Sequence, residues 1–243
     1  MKKISIITSV YNRKDTILDT INSIIHQDYK NIEYIIIDAN SNDGTSEIIK
    51  KIKNKNFIYI NEPDNGIYDG LNKGIKTASG EIIGILHSDD VFATPKTISN
   101  IMNNVGDFDI IYGNCNFLDH NLKKIKRKWQ SSNYSLSKLK LGWMPPHTAI
   151  FFKKTVFENV GLYSTQYSIS SDYDFILKSF LHKSHKIKYL NETIVNMRIG
   201  GISNNNLYSF YKKLKEDIHI SKKYSLSIFS LLFKRIRKIN QFL

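Results

Sequence analysis

The strongest constraint on the fold is the alternation of apolar runs with segments of helical periodicity in the first half of the chain. Apolar, mostly β-branched runs predict five strands, at residues 4–10, 32–38, 57–61, 82–86 and 110–112, and those at 4–10, 32–38 and 82–86 are expected to be buried. Apolar residues at helical spacing predict the helices between them, at residues 15–27, 43–53, 68–77 and 95–105. Strands that alternate with helices form βαβ units, so we expect an α/β fold with a mostly parallel sheet flanked by helices.

The alternation ends near residue 115, and the second half is predicted to be less regular. We expect an irregular strand with a basic turn over residues 116–129. Later helices are predicted at residues 135–141, 155–160 and 172–182, and later strands at 149–153, 186–190 and 194–198. From about residue 207 the chain is predicted to be a basic helical extension. The expected organisation is one domain with two halves, residues 1–115 and 116–206, followed by a tail at 207–243.

Composition excludes several classes of protein. Of the 243 residues, 41% are hydrophobic and 23% are charged, which is typical of a soluble globular protein. The single cysteine, Cys115, permits neither an internal disulfide nor a cysteine-based zinc site. The longest uncharged stretch near the C-terminus, residues 224–233, is too short to span a bilayer. Because the apolar run after Met1 also lacks a signal-peptide cleavage site, we expect a cytoplasmic protein.

The net charge of +13 is concentrated in two segments. Residues 119–140 contain seven basic residues and one acidic residue, and residues 207–243 contain nine and two. If the tail is helical, five of its apolar residues fall near one face of the helix: Ile228, Leu232, Ile236, Ile239 and Leu243. A basic amphipathic helix is typical of a protein that binds an anionic membrane surface. The alternatives are packing on the domain or pairing with a second copy, as in a homodimer; no nucleic-acid motif accompanies the charge, so we expect no nucleic-acid partner.

Polar segments follow three of the predicted strands. Asp38 ends the second strand, residues 62–66 follow the third, and residues 87–90 follow the fourth. Right-handed crossovers place the carboxyl ends of parallel strands along one edge, where open α/β sheets bind ligands. We therefore expect a binding site at this edge, in which Asp38 accepts hydrogen bonds from a ligand. The alternative is that Asp38 caps a helix or braces a loop.

Two acidic motifs are the candidates for chemistry. In His87-Ser88-Asp89-Asp90, two adjacent carboxylates repel each other unless a cation lies beside them. Such oxygen ligands suit Mg²⁺ or Mn²⁺ shared with phosphates, and the alternative is that Asp90 caps the next helix. Ser171-Asp172-Tyr173-Asp174 opens a later helix, whose positive end favours an ionised general base. Helix capping is the alternative there as well.

Two common nucleotide-binding signatures are absent from the sequence. There is no G-x-x-x-x-G-K-[ST], and no G-x-G-x-x-G follows the first strand, which argues against a P-loop and a classical dinucleotide-binding dehydrogenase. Gly66, Gly70 and Gly74 recur every four residues, so on a helix they share one face and allow another backbone to approach closely.

The order of these motifs resembles the family 2 glycosyltransferases. The matching blocks are Ser9-Val10-Tyr11-Asn12, Ile35-Ile36-Ile37-Asp38 with Ser41-Asn42-Asp43-Gly44-Thr45, Asn65-Gly66-Ile67 with Asn72-Lys73-Gly74-Ile75, Ser88-Asp89-Asp90, and Ser171-Asp172-Tyr173-Asp174-Phe175. The resemblance covers residues 4 to about 204. It implies a Rossmann-like GT-A fold, an NDP-sugar donor, a divalent cation and inverting chemistry. Residues 63–69 and the Pro146-His147 loop are most similar to enzymes of bacterial surface-polysaccharide synthesis, of the colanic acid or O-antigen type.

The resemblance also implies roles for individual residues. Asp38 would bind the uracil or ribose, Asp89 would lie by the ribose and donor sugar, Asp90 would ligate the metal, and Asp172 would be the base. The residues assigned to the rest of the donor site are Thr8, Val10, Asn12, Asn65, Gly66, Asn72, Lys73 and Ser88. His147, held by two prolines, and Arg198 are candidate contacts to acceptor or phosphate.

Three positions depart from the family pattern. Leu71 stands where many relatives have arginine, Ser171 where glutamate often precedes the base, and Arg198 where many relatives have a late histidine. The base is therefore Asp172 or Asp174, and the alignment favours Asp172.

The predicted function is transfer of a sugar from an NDP-sugar to a glycan or polyprenyl-diphosphate-linked acceptor at the inner face of the cell membrane. A UDP-hexose or UDP-N-acetylhexosamine is the favoured donor. The alternative is a non-catalytic sugar-nucleotide or polysaccharide-binding module on the same fold. A nucleotidyltransferase would need a phosphate loop rich in glycine and lysine or arginine, and Ser9-Val10-Tyr11-Asn12-Arg13 does not supply one.

Overall fold

The chain folds into one sheet flanked by helices, and the computed structural model describes residues 1–52, 54, 56–200, 207–227 and 229–239. Its strands are β1 (Ile4–Val10), β2 (Ile32–Asp38), β3 (Phe57–Asn61), β4 (Ile82–Ile85), β5 (Val91–Phe92), β6 (Ile110–Leu118), β7 (Ile125–Trp129), β8 (Ile150–Lys153) and β9 (Ile187–Arg198). Its helices are α1 (Ile17–Ile25), α2 (Thr45–Lys50), α3 (Ile67–Thr77), α4 (Thr97–Asn104), α5 (Leu136–Lys140), α6 (Lys154–Val160), α7 (Ser171–Phe180), α8 (Leu207–Lys223) and α9 (Phe229–Ile239), with a 3-10 turn at His147–Ala149.

The strand order is β3-β2-β1-β4-β8-β6-β9-β5, with β7 paired to β6. Strands β1 to β4 pair in parallel, as the alternation predicts. Val10 lies opposite Asp38, and Asp38 lies opposite Asn61, so three strands end at the same level. This register confirms the common edge at which the polar segments were expected.

The second half of the chain continues the same sheet. β8 runs antiparallel between β4 and β6, and β9 runs parallel to β6. β6 extends past residue 112, and residues 187–198 form one strand instead of two, because their polar side chains pair across the strands. Asn114 donates to Asn191 and Asn116 to Asn196, at 3.3 and 3.2 Å. The predicted boundary at residue 115 therefore falls inside a strand shared by both halves.

Helices cover both faces of the sheet, which explains why β1, β2 and β4 are buried without alternation. On one face, Ile35 and Ile37 pack with residues of α3, α6 and α7. On the other face, Ile36 packs with residues of α1, α2 and α4.

Helix α3 lies unusually close to β1, as its glycine spacing predicts. A Cβ at Gly74 would lie 2.4 Å from Cγ2 of Ile7, and one at Gly70 would lie 2.4 Å from Oγ of Ser9. A Cβ at Gly66 would have no neighbour within 4 Å. Gly66 instead has a φ of +106°, a backbone conformation that residues with a side chain rarely adopt. The helix is thereby held against the carboxyl end of β1.

Glu33 is a buried carboxylate near the start of β2. It accepts hydrogen bonds from the Lys3 ammonium (2.7 Å), the Ser5 hydroxyl (2.6 Å) and the Ser79 amide (2.8 Å). Burial by itself raises the pKa of Glu33, but the hydrogen bonds from Lys3, Ser5 and Ser79 outweigh it and lower the pKa to about 2. An unfolded glutamate has a pKa of about 4.3, so ionised Glu33 stabilises the fold above that pH.

We expect Glu33→Gln to lower the free energy of unfolding by about 3 kcal/mol at pH 7, because the pKa difference is about 2 units. The wild-type advantage should shrink as the pH falls from about 4.3 toward 2. Urea unfolding at several pH values measures both effects. Glu81→Gln is the control, since Glu81 is exposed and its ion pair with Lys2 spans 3.8 Å. If Glu33→Gln and Glu81→Gln lost the same free energy of unfolding, the stabilising role of ionised Glu33 would be contradicted.

The basic tail forms two helices, and part of each packs on the domain. Ile220 of α8 and Leu231 of α9 are buried. Lys234, which the sequence places with the polar residues, is buried and pairs with Asp217 at 3.2 Å. Leu232 on the expected apolar face is exposed; Ile228 and Leu243 lie outside the described residues, as do the side chains of Ile236 and Ile239. Over the described ranges, none of the helices has the length and hydropathy needed to cross a membrane.

Candidate active site

The turn of residues 87–90 follows β4 and holds the first acidic motif. Asp90 is buried, and its Oδ1 accepts the backbone N–H of Arg198 at 3.2 Å. Its Oδ2 is also buried but has no hydrogen-bond partner among the described residues. Burial and the neighbouring charge of Asp89 raise the pKa of Asp90 well above its ordinary value. A cation beside Asp90 would favour its ionised form, so the unpartnered Oδ2 is a candidate ligand for one.

Asp89 differs from Asp90 in its surroundings. Its side chain is half-buried and makes no hydrogen bond or ion pair to the described residues. Ser88 beside it is buried, and its carbonyl accepts from Thr16 at 2.9 Å. In the described part of the chain, no group of three or more His, Cys, Asp or Glu residues could enclose a metal ion. The pair Asp89 and Asp90 nevertheless fits a cation whose remaining ligands come from a diphosphate, as is usual for Mg²⁺.

Arg198 at the end of β9 braces this turn. Its guanidinium donates to the His120 carbonyl at 2.9 Å and pairs with the Asp19 carboxylate at 2.5 Å. It also reaches the Asp89 carbonyl at 3.4 Å. Because the guanidinium is buried and engaged with these groups, the arrangement gives Arg198 a positioning role rather than a free contact to phosphate.

The second acidic motif begins α7, and its two carboxylates have different environments. Asp174 is buried, pairs with Lys223 at 2.7 Å and accepts from the Tyr224 hydroxyl at 3.1 Å. Asp172 is half-buried, and its Oδ1 accepts from the hydroxyl of Tyr68 at 3.4 Å. Of the two candidate bases, Asp172 is the accessible one.

The charge around Asp172 keeps it ionised. Burial by itself raises the pKa of Asp172, but the positive charges of Lys213, of protonated His147 and of Lys234, together with the N–H of Tyr173, outweigh it. The pKa of Asp172 therefore lies below its ordinary value. A carboxylate with this pKa is ionised at neutral pH and able to accept a proton.

Two neutral histidines connect the two acidic motifs. The rings of His87 and His147 lie 5.8 Å apart, and His147 Nε2 is 2.8 Å from the Tyr163 hydroxyl. Burial lowers the pKa of both histidines, that of His147 to about 4. Both rings interact electrostatically with Asp172, which brings the 87–90 turn and the start of α7 into one site. His147 itself is buried, so its direct partner here is Tyr163 and not a ligand.

The side chain of Asn72 explains how this arrangement is held. It accepts the backbone N–H of Tyr163 at 3.0 Å and donates to the carbonyl of the same residue at 2.9 Å. The rings of Tyr68 and Tyr163 stack at 5.8 Å. Asn72, predicted to contact the donor, thus fixes α3 to the loop that supports His147.

Asp38 lies at the expected edge, but its carboxylate is fully buried. It accepts hydrogen bonds from the amide and hydroxyl of Ser41, from Ser46, and from Tyr59 at 2.7 Å. Asn12, at a φ of +51°, accepts the Asn42 amide on Oδ1 at 2.9 Å. These bonds fix the loop at residues 39–43, so the bracing alternative describes Asp38 in this structure.

The other predicted donor residues surround the same edge. Thr8 is buried and donates to the Leu86 carbonyl at 2.7 Å, and the Val10 carbonyl accepts from Ala39 at 2.9 Å. Lys73 is held by Glu62 at 2.9 Å and by the Pro63 carbonyl at 2.6 Å. Residues 65 and 66 are exposed at the start of α3.

Sequence reasoning missed three residues of the site, namely Tyr68, Tyr163 and Glu216. Tyr68 contacts Asp172 across 104 residues of sequence, and Tyr163 contacts Asn72 across 91. Glu216 binds the segment before α7 from a helix 46 residues away. No local pattern signals such contacts, although an acidic residue inside a strongly basic tail was an available clue.

Comparisons with known proteins identify the family of this chain. The profile of Glycosyl transferase family 2 matches residues 5–161. Glycosyltransferase MT1564 of Mycobacterium tuberculosis is 31% identical over 183 residues, which is 73% of this chain and 69% of MT1564. The UDP-Glc:alpha-D-GlcNAc-diphosphoundecaprenol beta-1,3-glucosyltransferase WfaP of Escherichia coli is 46% identical over 101 residues, which is 41% of this chain and 40% of WfaP.

Solved structures show the same fold. TarS 1-349 of S. aureus in complex with UDP-GlcNAc superposes with a TM-score of 0.68 at 18% identity, over 84% of this chain and 62% of that one. The chain spans 43% of the longer TarS crystal structure. Mannosyltransferase PcManGT from Pyrobaculum calidifontis, in complex with GDP-Man and Mn²⁺, has a TM-score of 0.68 at 15% identity, over 93% and 65% of the two chains. With the matching family profile, these findings establish that the chain is a GT-A transferase enzyme and belongs to glycosyltransferase family 2.

Proposed function

We propose that this enzyme transfers a hexosyl or N-acetylhexosaminyl group from a UDP-sugar to a lipid-linked glycan, with inversion at the anomeric carbon. The observation that carries the proposal is the accessible carboxylate of Asp172, whose pKa lies below its ordinary value and which interacts electrostatically with His87 of the 87–90 turn. Two relatives support the choice of substrates. WfaP is named for a UDP-Glc donor and a diphosphoundecaprenol acceptor, and TarS 1-349 was solved with UDP-GlcNAc.

Asp172 acts on the acceptor. A sugar hydroxyl is a weak nucleophile, and a positioned carboxylate that takes its proton in the transition state accelerates the attack. The low pKa of Asp172 keeps it in the ionised form that this role requires. Attack from the side of Asp172, with the diphosphate leaving from the opposite side, is a single displacement and inverts the anomeric centre.

Asp89 and Asp90 act on the donor diphosphate. Their carboxylates would hold a divalent cation, which would supply positive charge to the leaving diphosphate. Asp89 is available for this contact because its side chain has no other partner in the described part of the chain, and Asp90 offers its unpartnered Oδ2. PcManGT, which was solved with Mn²⁺, supports the use of a cation.

The nucleotide rests on the edge formed by the ends of β1 and β2. We assign the base pocket to the main chain at residues 10–12 and to the loop that Asp38 braces. Asn65 and Gly66 extend the donor site from the start of α3. Lys73 contributes by fixing the loop at residues 62–64, and Asn72 by fixing Tyr163.

Thermal unfolding of the purified protein with UDP, GDP, CDP or TDP, each with and without Mn²⁺, tests this proposal. A ligand that binds the native state raises the melting temperature by mass action. We expect the largest shift with UDP and Mn²⁺ together. Absence of a shift with any nucleotide would favour the binding-module alternative and overturn the donor assignment.

The outer face of α9 suggests how the enzyme reaches a lipid-linked acceptor. Phe229, Leu232 and Phe233 are 63%, 53% and 43% exposed, whereas Ser230 and Lys234 face inward. The tail carries a net positive charge. We assign this face to the surface of an anionic bilayer, which attracts basic segments and buries apolar side chains.

We expect the double variant Phe229→Ser, Leu232→Ser to bind anionic vesicles about tenfold or more weakly than the wild type, because burial of each side chain is worth about 1.5–3 kcal/mol. Vesicle flotation measures the bound fraction. Leu18→Ser with Ile25→Ser is the matched control, since those exposed side chains lie on α1. Equal binding of both variants, or a wild type that does not bind, would contradict this assignment; a concentration-dependent dimer would instead support pairing with a second copy.

A further inference from the structure

Glu216 of α8 makes a concentrated set of contacts with the segment that leads into α7. Its carboxylate accepts hydrogen bonds from the backbone N–H groups of Ser168 (3.0 Å), Ile169 (3.0 Å) and Ser170 (2.8 Å). The Ser168 hydroxyl donates to it as well, at 3.1 Å. Three successive amides that converge on one point form an anion-binding concavity. Here the anion is the enzyme's own carboxylate, supplied by the tail.

The segment held by Glu216 determines where Asp172 lies. Ser170 is the residue that precedes α7, and Asp172 is the second residue of that helix. The Ile169 carbonyl accepts from the hydroxyl of Tyr68 at 2.8 Å, and the same hydroxyl lies 3.4 Å from the Asp172 carboxylate. The amides of this segment are therefore fixed by α8, and its carbonyl is fixed by α3.

The residues that follow Asp172 are also held by the tail. Lys234 of α9 lies 3.3 Å from the centre of the Tyr173 ring and pairs with Asp217 of α8. Lys223 at the end of α8 pairs with Asp174 at 2.7 Å. Helices α8 and α9 thus contact the start of α7 on both sides of Asp172 in the sequence. Both helices lie outside the region matched by the family profile.

We propose that Glu216 is a positioning residue that orients Asp172 toward the acceptor, so that the tail is part of the catalytic machinery as well as a membrane-binding element. This inference rests on the proposed role of Asp172 as the base. Misplacement of a catalytic group by about 1 Å can lower the rate about a hundredfold, so loss of these hydrogen bonds should appear in kcat. Donor binding, which takes place at the edge of the sheet, should be unaffected.

Glu216→Ala and Glu216→Gln test the proposal in the full-length enzyme. We expect Glu216→Ala to lower kcat about tenfold or more while the KM for the UDP-sugar changes less than about twofold. Glu216→Gln should recover part of the rate, because its amide oxygen still accepts hydrogen bonds from the same amides. Glu158→Ala is the matched control, since Glu158 is exposed on α6 and its side chain makes no hydrogen bond to the described residues.

Hydrogen exchange at residues 168–170 supplies a readout that does not depend on turnover. These amides should exchange faster in Glu216→Ala than in Glu158→Ala, while the core strands stay protected. Wild-type kcat in Glu216→Ala, despite faster exchange, would overturn the positioning role. A parallel measurement on Asp172→Asn separates the role of Glu216 from the role of Asp172. If Asp172→Asn is inactive and Glu216→Ala is fully active, only the positioning role of Glu216 fails. If Asp172→Asn is active, Asp172 is not the base, and this inference fails with that assignment.

Discussion

Replacement of Asp172 by asparagine is expected to lower kcat about a hundredfold or more, because general-base catalysis typically contributes about 10²–10⁴ in rate. Asparagine has nearly the same shape but cannot accept the proton of the acceptor hydroxyl. UDP and Mn²⁺ should still raise the melting temperature of the variant, since the 87–90 turn is unchanged. Initial rates with saturating donor, together with thermal unfolding, measure both outcomes.

Asp174→Asn is the matched control for that experiment. Asp174 lies two residues later on the same helix but is buried and paired with Lys223. Its replacement should lower the melting temperature while leaving kcat well above that of Asp172→Asn. If Asp174→Asn were folded and inactive while Asp172→Asn kept its rate, the base would be Asp174 instead.

Replacement of Asp89 by asparagine is expected to abolish most of the metal-dependent binding of UDP. A contact to a charged group is worth about 1.5–3 kcal/mol, so affinity for UDP with Mn²⁺ should fall about 10- to 100-fold. The melting temperature without ligand should not fall, because the Asp89 side chain makes no hydrogen bond or ion pair in the described part of the chain and its charge repels that of Asp90. Titration calorimetry with UDP, in Mn²⁺ and in EDTA, measures the difference.

Asp107→Asn controls for the loss of one negative charge, since Asp107 is exposed and distant in sequence from the turn. Asp90→Asn complements Asp89→Asn, but its loss of affinity must be separated from a loss of stability, because Asp90 is buried against Arg198. Unchanged metal-dependent affinity in both Asp89→Asn and Asp90→Asn would contradict the placement of the cation.

The sequence predicted the first half of the fold well because its signals there are local. β1, β2 and β4 are short apolar runs, and parallel strands covered on both faces require that pattern. β3 is a half-buried strand at the edge of the sheet. The common edge followed from the handedness of the crossovers. The later strands were predicted less completely, since β8 inserts between β4 and β6 by pairing over long sequence distances.

The candidate site was predicted in part. The acidic motifs lie at the end of β4 and at the start of α7, as predicted. Asp174 differs from Asp172 in being paired with Lys223, which is 49 residues away in sequence. His147, Asn72 and Arg198 were expected to touch ligands, and instead they bond to other parts of the protein. A polar side chain in such a motif is equally suited to binding a ligand and to bonding to another part of the protein. The sequence pattern therefore cannot distinguish these two roles.

The anomeric configuration of the product tests the central claim most directly. The purified enzyme would be given an α-linked UDP-hexose or UDP-N-acetylhexosamine and a GlcNAc-diphosphate-lipid acceptor, and the new linkage would be assigned from the NMR coupling of its anomeric proton. A single displacement with Asp172 as base predicts a β-linked product. An α-linked product would contradict the proposed mechanism, because it requires retention at the donor carbon.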